Sequence, residues 1–179
     1  MTNTLHDPSV DLPVRHERDA RGVHVLTLNQ PKSFNVLSEA MLSELQRQLD
    51  LIVADEGARV LVIAAEGKAF CAGHDLKQMK ASPQLDYYQR LFAQCSKMML
   101  SLLKLPVPVI ARVQGLATAA GCQLVAQCDL AVAVDSARFG VNGIDVGLFC
   151  ATPSVPLVLH KGATQAMETL PVSSTHLTL

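Results

Sequence analysis

Between Val109 and Asp129 the chain reads VIARVQGLATAAGCQLVAQCD, and few folds accommodate that order of residues. Val109 to Val113 is a short apolar run, as for a buried strand. Gly115 then permits a sharp turn, and the small residues with Leu124 that begin at Thr118 or Ala119 suit a helix. The side chains of Ala117, Ala119, Ala120 and Gly121 are small enough for another group to approach the backbone closely. Two readings follow. The first N–H groups of such a helix have no partner inside it and lie at the positive end of its dipole, so they could stabilise an anion or a developing oxyanion. Alternatively, the small residues serve a tight helix–strand contact. This stretch alone does not decide between them.

The same layout occurs once more. Val60 to Ala65 (VLVIAA) reads as a strand buried on both faces, and it runs into a second glycine loop, Glu66 to Leu76 (EGKAFCAGHDL). Two such loops could each present one N–H to the same atom, which is what an oxyanion hole requires. Elsewhere, Val23 to Leu28 (VHVLTL) alternates as a strand does, and Asn29 to Ser33 ends it in a loop. Ser38 can cap a helix running to about Asp55, with Met41, Leu42, Leu45, Leu49 and Ile52 on its apolar face. Pro83 precedes a long helix, Leu85 to Leu105, that Pro106 ends. Leu130 to Val134 reads as another buried strand, and Ala137 to Phe139 starts the next extended piece. Pro156 to His160 and Thr164 to Leu170 are helix candidates. Asp129 is expected to hydrogen-bond the neighbouring strand turn.

Residues 1–13 read as a loose arm, 14–160 as one core and 161–179 as a tail without clear pattern. With no linker inside the core, the expectation is one α/β (α+β) domain of repeated ββα turns. Hydrophobic residues make up 49% of the chain and charged residues 17%, a globular composition. A formal net charge of −1 argues against broad nucleic-acid binding. No apolar run reaches membrane-spanning length, and Met1 to Pro13 lacks the apolar core of a signal peptide. The five cysteines (Cys71, Cys95, Cys122, Cys128, Cys150) form no CxxC pair, which points to a reducing compartment and no metal site.

Together the segments GKAFCAGHDL and VIARVQGLATAAGCQLVAQCDLAVA resemble the crotonase (enoyl-CoA hydratase/isomerase) superfamily. Asn29 to Leu37 (NQPKSFNVL) is similar to that family's N-x-P-K-x-x-N-x-L loop, and Ala137-Arg138-Phe139-Gly140 to its next landmark. The resemblance covers roughly Val14 to Leu159. Three ordered motifs make it specific, and it implies a spiral of ββα units that binds acyl-CoA thioesters. It implies an oxyanion hole made by the backbone N–H groups of His74 and Ala120. The His74 imidazole is expected at the solvent or pocket rim, with a catalytic imidazole as the alternative. It further implies an acyl-CoA contact segment at His74, Asp75, Leu76 and Lys77. Lys32, beside Ser33, and Lys77 are candidates for the CoA phosphates. Coenzyme A would enter as part of the substrate, with no separate cofactor. Family members assemble as trimers or pairs of trimers. The helices that build the trimer and close the acyl pocket lie beyond where this chain stops, so a robust trimer is not expected of it.

Hydratases of this family place two glutamates around a water, because general acid/base work needs ionisable groups. The matching positions here are Gln123, which cannot accept a proton from water, and Gly143, which has no side chain. Asp145 would face the same side as position 143 in an extended segment and is the replacement candidate; the alternative is a solvent-facing or backbone-bonded carboxylate. Cys150 reads as a buried thiol, and neither it nor Thr152 has an evident partner base. No serine beside the loops is matched by a histidine as a serine peptidase would need. The pattern resembles the enoyl-CoA hydratase domain-containing subgroup, mitochondrial and bacterial, which lacks both glutamates. The expectation is a protein of fatty-acid metabolism that binds acyl-CoA, in a bacterial cytoplasm or the mitochondrial matrix, with ordinary hydratase activity in doubt. A non-catalytic acyl-CoA-binding or regulatory protein and an acyl-CoA thioester hydrolase are the alternatives.

Overall fold

A computed structural model describes residues 12–141, 143 and 151–161. Its organisation is a repeat. The strand–strand–helix order recurs as β3 (Val60–Ala65), β4 (Ala69–Cys71) and α3 (Leu85–Leu103), then β5 (Val109–Val113), β6 (Leu116–Thr118) and α4 (Ala120–Ala126). A third turn follows as β7 (Leu130–Ala133), β8 (Arg138–Gly140) and α5 (Ala151–Lys161). A short helix, α2 (Leu76–Ala81), precedes α3 in the first turn. The first strand of each turn enters one five-stranded sheet, ordered β1-β2-β3-β5-β7, and the second enters a three-stranded sheet, ordered β4-β6-β8. Within the larger sheet β1 (Val14–Arg18) pairs antiparallel with β2 (Val23–Leu28), and every other neighbour is parallel. The ββα expectation holds.

Local chemistry accounts for the boundaries. Ser38 is extended (φ −71°, ψ 164°), and its hydroxyl accepts the Met41 N–H at 3.2 Å, so α1 (Glu39–Val53) begins where a capping serine places it. Met41, Leu42, Leu45, Leu49 and Ile52 are all buried, the helical stripe that the spacing predicts. α1 packs on α3, whose inner face is Tyr87, Leu91, Cys95, Met98, Met99 and Leu102. Each large aliphatic side chain removed from water contributes roughly 1.5–3 kcal/mol. Asp129 accepts the Val109 N–H through Oδ2 at 2.8 Å, as expected of it.

The differences have physical reasons. β4, β6 and β8 are three residues each, too short for any period to show, and lie inside what the sequence suggests are loops. β1 (VRHER) buries only Val14, so it carries no apolar alternation. β3 is not buried on both faces: Leu61 and Ile63 face the core while Val60 and Val62 are half-covered. β7 is not a buried strand at all. It lies at the edge of the larger sheet, with Leu130 60% and Val132 64% exposed. α5 begins before Pro156 and carries that proline inside it. The helix candidate at residues 164–170 lies outside the described residues. Among the described residues no helix is long and apolar enough to cross a membrane.

Candidate active site

The three-stranded sheet gathers the sequence landmarks. Its strands run parallel, with Ala69 opposite Leu116, Ala117 opposite Phe139 and Thr118 opposite Gly140. His74 therefore follows the end of β4, Ala120 the end of β6 and Gly143 the end of β8, on one edge of one sheet. Ligand sites in parallel sheets form at such carboxyl ends.

The first two ends are held together by backbone. Gly73 sits at φ +90°, and a Cβ there would lie 3.0 Å from the Ala119 Cβ and 3.3 Å from the Ala120 nitrogen. Only glycine allows both that dihedral and that approach. The Thr118 hydroxyl donates to the Ala72 carbonyl at 3.3 Å, and the Ala119 N–H to the Gly140 carbonyl at 2.9 Å. From the other side the Leu37 N–H donates to the Gly73 carbonyl at 2.8 Å, and the Ala72 N–H to the Phe34 carbonyl at 3.1 Å. Among the described residues neither the His74 N–H nor the Ala120 N–H finds an acceptor. For Ala120 this follows from its place at the first position of α4.

Both readings of the small residues meet here. Gly121 would place a Cβ 2.1 Å from the Cys71 carbonyl oxygen, so the tight contact is real: the end of β4 lies directly on the start of α4. That contact is also what brings the two N–H-bearing loops together. Ala119 has φ 49° and ψ −123°, a region that L-residues with a Cβ rarely occupy. Such strain costs of order 1–3 kcal/mol, against about 0.5–1 kcal/mol for the freedom glycine loses on folding. Ala119→Gly is expected to stabilise the chain by about 1 kcal/mol, read as a higher urea midpoint at unchanged slope; a lower midpoint would mean that the Ala119 methyl is not strained.

The side chains divide into those already used and those left over. The Asp75 carboxylate accepts the Lys77 and Gln78 N–H groups at 2.9 and 3.2 Å and so caps α2. Leu76 and Lys77 are exposed, as are Lys32 and Ser33, whose hydroxyl donates to the Gln30 carbonyl at 3.1 Å. Lys32 lies on the 3-10 turn Pro31–Ser33, within the loop that the Phe34 and Leu37 bonds lace to residues 72–73. Gln123 is buried on α4, and its Oε1 has no hydrogen-bond partner. Both His74 ring nitrogens are likewise buried and unpaired. His74 as a residue is half-buried; its ring, with both nitrogens covered, lies edge-on to Phe92 of α3, ring centroids 5.1 Å apart. Burial holds it below the usual histidine range, against a smaller opposing effect of the Leu37 backbone. Gly143 is buried beyond β8. Asp145 and Cys150 lie outside the described residues, and Thr152 is exposed on α5.

No thiol among Cys71, Cys95 and Cys128 can serve as a nucleophile, since burial pushes each up to about 12. Among the described residues no group of histidines, cysteines and carboxylates could hold a metal ion. Asn35, part of the Asn29–Leu37 motif, has a structural task that spacing alone does not reveal. Wholly buried at φ 52°, it donates to the Glu66 and Ala69 carbonyls at 2.9 Å each and accepts the Gln30 N–H at 2.8 Å. It thereby pins the lysine-bearing loop to the entry of β4. The tolerance of asparagine for the left-handed region is the signal that could have marked it.

Comparison with known proteins agrees with the fold. The sequence model of the enoyl-CoA hydratase/isomerase family matches residues 18–175. The chain is 47% identical over 165 residues to the mitochondrial enoyl-CoA hydratase domain-containing protein 3 of Xenopus laevis, covering 92% of this chain and 54% of that protein. It is 45% identical over 153 residues to the human protein of that name, covering 86% and 50%. Among solved structures, an enoyl-CoA hydratase of Mycobacterium smegmatis superposes with a TM-score of 0.89 at 56% identity, covering 90% of this chain and 63% of that one. Human enoyl-CoA hydratase domain-containing protein 3 superposes with a TM-score of 0.83 at 45% identity, covering 88% and 62%. The chain thus spans about half the length of the curated relatives it matches.

Proposed function

Since the chain belongs to the enoyl-CoA hydratase/isomerase family, we propose that it binds acyl-CoA thioesters and polarises their carbonyl with the His74 and Ala120 N–H groups, without the acid/base pair of a standard hydratase. One observation supports this reading: among the described residues the His74 and Ala120 N–H groups, on adjoining loops, have no acceptor, and Gln123 Oε1 and both His74 ring nitrogens are buried without partners. Buried polar groups without partners are rare in folded proteins, and a polar ligand accounts for them. A thioester carbonyl takes up enolate character when a proton is lost or a nucleophile adds next to it. Fixed donors stabilise that charge without reorganising.

The rest of the chemistry follows from what the side chains can do. Gln123 can orient a water or a substrate oxygen but cannot take a proton. Lys32 and Lys77, exposed on the segments flanking the donors, would meet the phosphates of coenzyme A as mobile point charges. The buried Gln123 amide favours binding, or chemistry through a group other than the glutamate pair, over hydration. The setting would be fatty-acid metabolism, in the mitochondrial matrix or a bacterial cytoplasm according to the source of the chain.

Isotope-edited infrared spectroscopy tests the donors. A 13C-labelled thioester carbonyl of bound crotonyl-CoA is expected to absorb at lower frequency than in free ligand, because two hydrogen bonds weaken the C=O bond. Binding shown by calorimetry together with an unshifted band would reduce both loops to scaffold.

A further inference from the structure

A second cluster of titratable groups lies away from the three-stranded sheet, where β1, β2 and α1 meet. Four side chains form a line. Gln48 Oε1 is 2.7 Å from His16 Nδ1, His16 Nε2 is 2.8 Å from His24 Nδ1, and His24 Nε2 is 3.0 Å from Asp55 Oδ2. His24 and Gln48 are buried, at 2% and 4% exposure.

Both ends of this line accept. The Asp55 carboxylate also takes the Arg18 Nε–H at 2.5 Å and the Gly57 N–H at 2.8 Å. These hold it at about 2, the Arg18 hydrogen bond foremost, so it is ionised. The Gln48 amide is oriented by its other arm, which donates from Nε2 to Glu44 Oε1 at 2.7 Å. Glu44 is itself held ionised chiefly by Arg47, whose guanidinium contacts both its oxygens at 2.9 and 2.7 Å. A reversed amide would set its oxygen against that carboxylate, so Gln48 must present its carbonyl oxygen to His16.

Three close contacts between two acceptor ends need three ring protons: one on His16 Nδ1, one on His24 Nε2 and one between the rings. Two neutral imidazoles supply only two. We infer that the His16–His24 pair binds one proton beyond neutrality, shared along the line and balanced by Asp55, and so acts as a proton-dependent clamp joining β1 and β2 to α1. The proton between the two rings is the one beyond neutrality, and the Asp55 carboxylate balances it. Burial is the largest effect against a charge on His16 and outweighs the Gln48 hydrogen bond that favours one, which agrees with one extra proton and not two. The charged groups around the pair are Arg18 on β1, Glu44 and Arg47 on α1 and Asp55 just after it.

The sign of the pH dependence follows. Above about pH 6.5 unfolded histidines are mostly neutral, so folding takes up a proton at the pair. The folding constant then falls as pH rises above about 6.5, by up to tenfold per pH unit while the folded pair keeps that proton, and levels off once it is released. Stability falls again in acid, as His16 is forced to take a second charge.

The test is nitrogen-15 NMR of the histidine rings in the full chain at pH 7. The His16 and His24 rings together are expected to show three protonated nitrogens. Two neutral rings would overturn the inference. Gln48→Leu separates the proton count from simple attraction to Asp55. Without the Gln48 oxygen, two ring protons satisfy the remaining contacts, so the pair should lose its third ring proton in a folded variant whose other histidine signals are unchanged. A pair that keeps three ring protons in that variant would show that Asp55 alone holds the charge and would overturn the shared clamp.

Discussion

Crotonyl-CoA is expected to be hydrated by this chain at least about 100-fold more slowly than by a relative that carries both glutamates, because a positioned general acid or base contributes about 10²–10⁴-fold. On the proposed reading Gln123 and Gly143 stand at those positions, and neither can exchange a proton with water. Gln123 remains on α4 with its Oε1 buried and unpaired, so the site keeps its shape at this position while losing the proton acceptor. Restoring the carboxylates by Gln123→Glu and Gly143→Glu tests the cause. Residues that act as a unit are non-additive, so the double variant should gain far more than the product of the single ones. Steady-state hydration is the measurement, with crotonyl-CoA binding confirmed separately. A kcat/KM above about 10⁴ M⁻¹s⁻¹ for the unmodified chain, the range of ordinary enzymes, would defeat the expectation.

Gly121→Ala is expected to be strongly damaging both to stability and to the site. The added carbon would lie 2.1 Å from the Cys71 carbonyl oxygen and 2.7 Å from its carbon. The obstacle is the backbone of β4, which cannot rotate away as a side chain could. Overpacking typically costs about 1–3 kcal/mol, and a backbone contact this short belongs at the upper end, about 3 kcal/mol. Relief would push α4 away from β4 and so separate the two N–H donors. Urea unfolding and acyl-CoA affinity should fall together. A variant less than about 1 kcal/mol less stable, with unchanged affinity, would mean that β4 and α4 are not in fixed contact.

How much of this could be read from residues varies by element. α1 was legible in full, because Ser38 caps it and five buried side chains repeat at helical spacing; the buried strand β5 was equally clear. The three-stranded sheet was not. Its strands are three residues each, and their pairing is between residues 22 to 47 apart in the chain, which no local pattern encodes. β7 misled because LAVAV looks like a core strand, whereas exposure depends on whether another strand lies beyond it. At the site, the two glycine loops were legible from motif order, and the structure brings His74 and Ala120 to adjoining loops. The contact of the His74 ring with Phe92 was not legible, since it depends on where α3 crosses the first loop. Asn35 stands in a motif, but its packing was hidden for the same reason: its three partners come from Gln30, Glu66 and Ala69.

The edge position of β7 bears on how the protein behaves in solution. A strand at a sheet edge offers its unpaired backbone to any other chain, and exposed Leu130 and Val132 make this one adhesive. The segment LAVAV is, however, bracketed by Asp129 and Asp135, both at the surface. Two copies aligned edge to edge in parallel register would bring like charges together at each end. That repulsion is a colloidal safeguard, and it is screened over about 10 Å at 0.1 M salt. Added salt should therefore lower the barrier to edge-to-edge association, so this surface is better protected in dilute buffer than in brine.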